Sequence, residues 1–219
     1  MYAGFGLLLN HKFIMMYPTL LDTIEQLDWE QFASDERRAA LQTLVDFVQR
    51  KVTTGQQVNL NFICTHNSRR SHLAQVWAQT AAAYFRIPNV SSYSGGTEET
   101  ALFPKVAETL TAQGFHVFKT TDTANPIYAI KYDDNSLPVI GFSKKYDHPF
   151  NPVSDFAAIM TCSQADSGCP FIAGAEKRIP LTFEDPKISD GTLEQGQIYS
   201  QRSLEIAIEI FYVFSRIKL

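Results

Sequence analysis

Apolar positions alternate along the chain between short continuous runs, typical of buried strands, and stripes at helical spacing. The runs predict four strands, at residues 58–64, 90–94, 156–161 and 178–183. The stripes predict helices between and after them, at residues 71–85, 105–113 and 199–217. Strands that alternate with helices in this way indicate an α/β fold, in which a parallel sheet carries helices on both faces.

Two further helical stripes precede the first strand, at residues 18–27 and 34–52. We therefore divide the chain into an N-terminal tail with a helical extension, residues 1–54, and a main domain, residues 55–219. Packing on the core, dimer formation and regulation are all open roles for the extension. The first sixteen residues are apolar in places but lack the basic start of a signal peptide. They are also too short to span a bilayer.

Residues 125–155 fit the alternating pattern least, because four prolines interrupt them. The segments 127–132 and 138–142 alternate between apolar and polar side chains, which predicts a hairpin-like insertion in the main domain. Its aromatic residues could line a substrate mouth, but a satellite hydrophobic cluster is the favoured interpretation. These residues are Tyr128, Tyr132, Phe142, Tyr146 and Phe150.

Composition narrows the class of protein. With 45% hydrophobic residues among 219, the chain can bury a full-sized core. A net charge of −4 argues against a general binder of nucleic acid or of membrane surfaces. Three cysteines without a signal peptide favour a reducing compartment, so we expect a cytoplasmic location.

The candidate chemistry lies where the first predicted strand turns into a helix, between Cys64 and Arg70. A helix N-terminus offers unpaired N–H groups and partial positive charge, which suit a tetrahedral oxyanion. The same field, with Arg70 nearby, favours the thiolate form of Cys64, which could attack the central atom of the oxyanion. A buried cysteine in an ordinary turn is the alternative, but two consecutive arginines beside a core thiol argue against it. The candidate oxyanion loop comprises Thr65, His66, Asn67, Ser68, Arg69, Arg70 and Ser71.

The motif C-T-x-N-S-x-R-S at residues 64–71 resembles the phosphate loop of low-molecular-weight protein tyrosine phosphatases. It is more similar still to the loop of the thioredoxin-coupled arsenate reductases that share their fold. Residues 93–97 resemble the second strand and turn of this family, and Asp185-Pro186 resembles its general-acid loop. The resemblance runs from about residue 58 to the C-terminus, interrupted by residues 125–155. It implies a flavodoxin-like sheet of four parallel strands.

The other two cysteines bear on which chemistry is carried out. Cys162 ends a predicted strand as Cys64 does, so the two can meet at the carboxyl edge of the sheet. If the segment from Cys162 to Cys169 were helical, its ends would lie about 10 Å apart. A disulfide needs Cα atoms within about 7 Å, so a Cys162–Cys169 bond requires the segment to loop out. The resemblance implies that these three cysteines form the relay of the arsenate reductases.

Zinc is a rival use of three cysteines, but the chain has neither a C-x2-C pair nor a suitably spaced histidine. A further alternative is that Cys162 and Cys169 are incidental thiols of the core. We expect no metal and no cofactor. Gln75 also replaces an acidic residue that helps to hold potassium in some of these reductases.

The resemblance implies an enzyme that reduces arsenate to arsenite, with thioredoxin as its reductant and partner. The catalytic residues that it implies are Cys64, Arg70, Asp185, Cys162 and Cys169. The alternative is a phosphatase that hydrolyses phosphomonoesters through a Cys64 phosphoenzyme. Lys187-Ile188 stands after Asp185-Pro186, where the phosphatases carry an aromatic pair, which disfavours phosphotyrosine. A third possibility is an oxyanion- or partner-binding protein without turnover, which would need neither the thiols nor Asp185.

Overall fold

The structure, a computed structural model, describes residues 16–30, 34–168 and 171–219. Residues 1–15 of the apolar N-terminal segment lie outside the described residues. Cys169 also lies outside them. In chain order the strands are β1 Val58–Cys64, β2 Val90–Gly96, β3 His116–Lys119, β4 Tyr128–Lys131, β5 Val139–Gly141, β6 Phe156–Met160 and β7 Ala175–Pro180. The helices are α1 Pro18–Glu25, α2 Asp35–Thr53, α3 Arg70–Tyr84, α4 Pro104–Ala112, α5 Ser163–Gly168 and α6 Gln195–Ser215, and a 3-10 turn spans Pro186–Ser189.

Four of these strands form a parallel sheet in the order β2-β1-β6-β7. Residues Phe62 and Ile159 pair across β1 and β6 and face a large hydrophobic cluster, to which α1, α2, α3, α4 and α6 contribute. The next pair, Ile63 and Met160, faces a smaller cluster that is covered in part by Ala165 of α5. The prediction of a four-stranded parallel sheet covered on both faces is therefore confirmed.

The N-terminal helices pack into the large cluster. Packing on the core, one of the three roles left open by the sequence, therefore describes their position. Leu20 and Ile24 of α1 and Leu44 of α2 are fully buried in it. Arg37 of α2 also donates two hydrogen bonds of 2.7 Å to Glu209 of α6. Burial raises the pKa of Glu209, and the adjacent arginine acts against that rise.

The predicted hairpin within residues 125–155 is formed by β4 and β5, which pair in antiparallel fashion. β3 pairs with β4 on the other side, so the described strands form a second sheet in the order β3-β4-β5. The prediction of a satellite hydrophobic cluster is wrong for Tyr128 and Tyr132, which belong to the main hydrophobic cluster. The reason is that the hairpin lies against the main domain and buries one of its faces there.

The last strand of the parallel sheet differs from its prediction. β7 begins three residues before the predicted start at 178 and ends at Pro180, and Phe183 lies beyond it. Because β7 is an edge strand, Glu176 and Lys177 are exposed, and its first half shows no apolar pattern. Among the described residues, no helix is both long and apolar enough to cross a membrane.

Candidate active site

Cys64 is the last residue of β1 and is followed by the loop that leads into α3. Its Sγ lies 3.1 Å from the hydroxyl of Ser71, and the side chain is buried. Within the described part of the chain, the backbone N–H groups of residues 66–70 donate to no protein acceptor. They are available to an oxyanion above the sulfur, as expected at a helix N-terminus.

Asn67 fixes the shape of this loop. Its φ of +43° lies in the left-handed region, which asparagine tolerates better than most residues. Its side-chain amide donates to Ser71 Oγ at 2.9 Å and accepts from the backbone N–H of Lys144 at 3.0 Å. The loop is therefore supported from α3 and from residues 125–155.

His72 supports the same turn from the first turn of α3. Complete burial, together with the nearby charge of Lys144, lowers the pKa of His72 to about 3, so its ring is neutral near pH 7. The ring Nε2 lies 2.8 Å from the Asn67 carbonyl and Nδ1 lies 3.1 Å from Ser94 Oγ. In a neutral ring this assigns the proton to Nε2, which donates to Asn67, while Nδ1 accepts from Ser94.

Gly96, at the end of β2, lies against the same loop. A Cβ at this position would come within 2.3 Å of the Glu98 carbonyl and 2.7 Å of the Thr65 carbonyl. Real Cβ atoms do not approach backbone so closely, so only glycine fits without moving the loop. The Gly95-Gly96 turn therefore approaches the Cys64 loop closely.

Arg70 and Asp185 meet beside Cys64 although 115 positions separate them. Arg70 Nη2 lies 2.5 Å from Asp185 Oδ2, and Nη1 donates to the Phe183 carbonyl at 2.9 Å. Asp185 also caps the 3-10 turn, since its Oδ1 accepts from the Lys187 N–H. Both side chains line one pocket of about 230 Å³ together with the sulfur of Cys64 and its neighbours. The described lining residues are Cys64, Thr65, His66, Ser68, Arg69, Arg70, Gln164, Asp185 and Lys187.

Cys162 lies at the same edge of the sheet, two residues beyond the end of β6. It is buried in the same hydrophobic cluster as Cys64, and both are free thiols. The hydroxyl of Thr65 lies 3.4 Å from Cys162 Sγ, so one side chain links the two cysteine segments. The sulfur of Cys162 also accepts the N–H of Ala165 at 3.3 Å and so caps α5.

Comparisons with known proteins agree with this architecture. Arsenate reductase 2 of Staphylococcus epidermidis is 30% identical over 125 residues, which are 57% of this chain and 76% of that protein. Arsenate reductase 2 of Staphylococcus haemolyticus matches with the same identity and coverage. The chain belongs to the superfamily of low-molecular-weight protein tyrosine phosphatases and arsenate reductases.

A low-molecular-weight phosphotyrosine phosphatase from Vibrio cholerae O395 has the same fold, with a TM-score of 0.50 at 14% identity. That match covers 72% of this chain and 95% of the other. No family model matches the chain. The membership in this superfamily that the Cys64 motif indicated is thus confirmed.

The predicted substrate-binding side chains of this superfamily member do not all point the same way. Thr65 contacts Cys162, Asn67 and Ser71 contact each other, and the imidazole Nδ1 of His66 lies 3.1 Å from Glu98 Oε2. Arg69 lines the pocket, but its guanidinium bonds with Tyr199 and Asp190. An oxyanion would therefore meet mainly the backbone of the loop and Arg70, and the substrate-binding roles stay predictions.

Gln164 and Lys187 line the pocket although the motif did not indicate them. Their positions gave a weak signal, because Gln164 follows Cys162 by two residues and Lys187 follows Asp185 by two. Lys144 was also missed, although its backbone supports Asn67, since it lies in a segment that has no counterpart in the motif.

Proposed function

We propose that this protein reduces arsenate to arsenite through Cys64, Cys162 and Cys169, with thioredoxin as the reductant. The observation that carries the proposal is the position of Cys64 and Cys162 at the ends of neighbouring parallel strands, with Thr65 in contact with Cys162. A phosphatase needs only the first of these cysteines. The relatives named arsenate reductase support the same choice.

The first step uses the Cys64 pocket. The Cys64 thiolate attacks arsenic(V) while the N–H groups of the loop and Arg70 hold the arsenate oxygens. A sulfur–arsenic bond forms, an arsenic–oxygen bond breaks, and Asp185 gives its proton to the departing oxygen, which leaves as water. The 2.5 Å contact between Asp185 and Arg70 places the acid beside the group that would hold the oxyanion.

The second step transfers the electrons. The Cys162 thiolate attacks Cys64 Sγ, so that a sulfur–sulfur bond forms and the sulfur–arsenic bond breaks. The electron pair of the broken bond stays on arsenic, which is reduced from arsenic(V) to arsenic(III) and leaves as arsenite. The two thiols are oxidised to one disulfide, which balances the two electrons.

The third step regenerates the nucleophile. Cys169 attacks the sulfur of Cys162, and the Cys64 thiolate leaves. Cys169 directly follows α5, whose last residue is Gly168, and Ser167-Gly168 is a segment that opens easily. The dithiol of thioredoxin then reduces the Cys162–Cys169 disulfide and supplies the two electrons consumed per arsenate.

The lining of the pocket favours a small inorganic oxyanion over phosphotyrosine. None of the described residues that line it is a phenylalanine, tyrosine or tryptophan, whereas a phosphotyrosyl ring requires apolar flanks. Hydrolysis of phosphomonoesters by the same Cys64, Arg70 and Asp185 remains the second candidate, because the fold is shared with a phosphatase.

The experiment compares wild type with Cys64→Ser, Cys162→Ser and Cys169→Ser in two assays. These are arsenate-dependent oxidation of reduced thioredoxin and hydrolysis of an aryl phosphate. Cys64→Ser should abolish both activities, because a hydroxyl without an adjacent base is a far weaker nucleophile. Cys162→Ser and Cys169→Ser should keep the hydrolysis and stop arsenate reduction after at most one event, since phosphate is not reduced.

Serine at 162 keeps an acceptor for the Ala165 N–H, so it serves as a conservative replacement. Mass mapping of wild type after arsenate treatment should find the Cys162–Cys169 disulfide. Efficient turnover of a phosphotyrosyl substrate, without thioredoxin oxidation by arsenate, would replace the reductase assignment with the phosphatase.

A further inference from the structure

We propose that Arg69, Asp190 and Tyr199, here called the clasp, hold the loop that carries Asp185 in position to protonate the leaving group. The inference rests on the proposed function in one respect, namely that Asp185 is the general acid. It assigns positioning roles to Asp190 and Tyr199, which the motif did not indicate, and a different role to Arg69.

The clasp is a closed ring of hydrogen bonds. Arg69 Nε donates to the hydroxyl of Tyr199 at 2.6 Å, and that hydroxyl donates to Asp190 Oδ1 at 2.5 Å. Arg69 Nη2 completes the ring through a 2.5 Å ion pair with Asp190 Oδ2. Every donor in the ring faces an acceptor, so all three contacts can form at the same time.

Burial makes these bonds more than surface contacts. The Tyr199 side chain is fully buried, and the side chains of Arg69 and Asp190 are 11% and 24% exposed. Burial and the bond to Asp190 raise the pKa of Tyr199, so its hydroxyl stays protonated and able to donate. The guanidinium of Arg69 also lies 4.2 Å from the centre of the Phe103 ring, which fixes its plane.

The position of the clasp gives it a specific task. The 3-10 turn Pro186–Ser189 has Asp185 at its start and Asp190 at its end. We call residues 185–190 the acid loop. Arg70 binds Asp185 and Arg69 binds Asp190, so two consecutive arginines of the oxyanion loop hold the two ends of the acid loop. The acid loop is thereby held against the oxyanion loop.

The two ties differ in what happens to them during catalysis. Arg70 must turn its donors towards the oxyanion, and Asp185 loses its attraction to Arg70 once it carries a proton. The tie at Asp185 therefore weakens in the state in which Asp185 acts. The clasp contains no group that the reaction changes, so it is the connection that continues to hold the acid loop over Cys64.

A test must separate positioning of the acid from a general loss of structure. Hydrolysis of p-nitrophenyl phosphate needs little protonation of its leaving group, whereas phenyl phosphate has a poor leaving group and depends on the general acid. Asp190→Asn and Tyr199→Phe should lower kcat/KM for phenyl phosphate about tenfold or more, a fraction of the full contribution of a general acid. For p-nitrophenyl phosphate the loss should stay below about threefold.

Two controls sharpen the comparison. Asp122→Asn removes a carboxylate from an exposed ion pair with Lys119 and should change neither substrate. Once Asp185→Asn has removed the acid, adding Asp190→Asn should lower phenyl phosphate hydrolysis by less than about twofold, because residues that act through each other are not additive. Equal losses on both esters in the clasp variants, or full additivity with Asp185→Asn, would overturn the inference.

A second measurement keeps the outcome independent of the activity assay. Amide hydrogen exchange in residues 185–194 should be faster in Asp190→Asn than in wild type, while exchange in β1 should not change. If wild-type protein hydrolyses neither ester, Asp185→Asn is assayed in arsenate reduction instead, where an unchanged rate refutes the proposed role of Asp185 as general acid. The clasp is then decided by exchange alone, and unchanged exchange in residues 185–194 overturns it.

Discussion

Replacing Lys144 with methionine should stabilise this protein and remove a distinctive dependence of its stability on pH. The Lys144 side chain is fully buried. Within the described residues its ammonium donates one hydrogen bond, to the Phe142 carbonyl at 3.3 Å. It also lies 4.4 Å from the centre of the Phe142 ring and 5.3 Å from that of Phe150. No carboxylate forms an ion pair with it among the described residues.

The magnitude follows from the pKa. Burial lowers the pKa of Lys144 from its ordinary value of 10.5 to about 7. At about 1.4 kcal/mol per pH unit, holding the charged form in this site costs about 5 kcal/mol. This figure is the net cost at low pH, because a pKa shift already contains every interaction of the charge with its surroundings, the two aromatic rings included.

The sign of the pH dependence follows from linkage. Below about pH 7 the amine is protonated in both the folded and the unfolded chain, and the full cost is present. Between about 7 and 10.5 the folded chain binds fewer protons than the unfolded one, so the free energy of unfolding rises with pH. From pH 7 to pH 9 this group should add about 2 kcal/mol of stability.

Guanidinium unfolding, followed by the fluorescence of Trp29 and Trp77, measures the effect at pH 7 and pH 9. At pH 7, Lys144→Met should be more stable than wild type by roughly 1–4 kcal/mol, and the gap should narrow by pH 9. Lys145→Met, at the exposed neighbouring position, is the matched control and should follow wild type. If wild type and Lys144→Met change in parallel between the two pH values, the argument from burial is refuted.

Two further predictions test the loop and the extension. Gly96→Ala should cost at least about 2 kcal/mol of stability and lower arsenate affinity in calorimetry, because its Cβ would overlap the Glu98 carbonyl. Gly196→Ala, which meets no atom within 4 Å, should be neutral or stabilising by up to about 1 kcal/mol in the same assays. Arg37→Ala should cost about 3–5 kcal/mol in urea unfolding, because it leaves the carboxylate of Glu209 buried without its charge partner. A loss equal to that of the exposed Arg50→Ala would contradict this explanation.

Much of the geometry of the candidate site could be predicted because its signals are local. A strand, a turn and a helix N-terminus at residues 58–84 are encoded by consecutive residues, so the relation of Cys64 to Arg70 follows from the chain alone. The meeting of Cys64 with Cys162 needed one further step, the rule that parallel strands end at a common edge. The edge strand β7 was displaced in the prediction because its exposed side chains lack the apolar pattern on which such predictions depend.

Periodicity and adjacency along the chain are enough to predict the parallel sheet and to place Cys64 and Arg70 around one turn between β1 and α3. The tertiary structure sets the partner of Arg69, since Asp190 lies 121 positions away and the two side chains meet in the fold in which α6 packs on α3. It also decided that Lys144 supports Asn67 from a segment that no motif covers. The adjacent residues Arg69 and Arg70 look alike in the sequence. They bind different carboxylates because Asp185 and Asp190 lie at opposite ends of one distant loop, and each end lies beside one arginine.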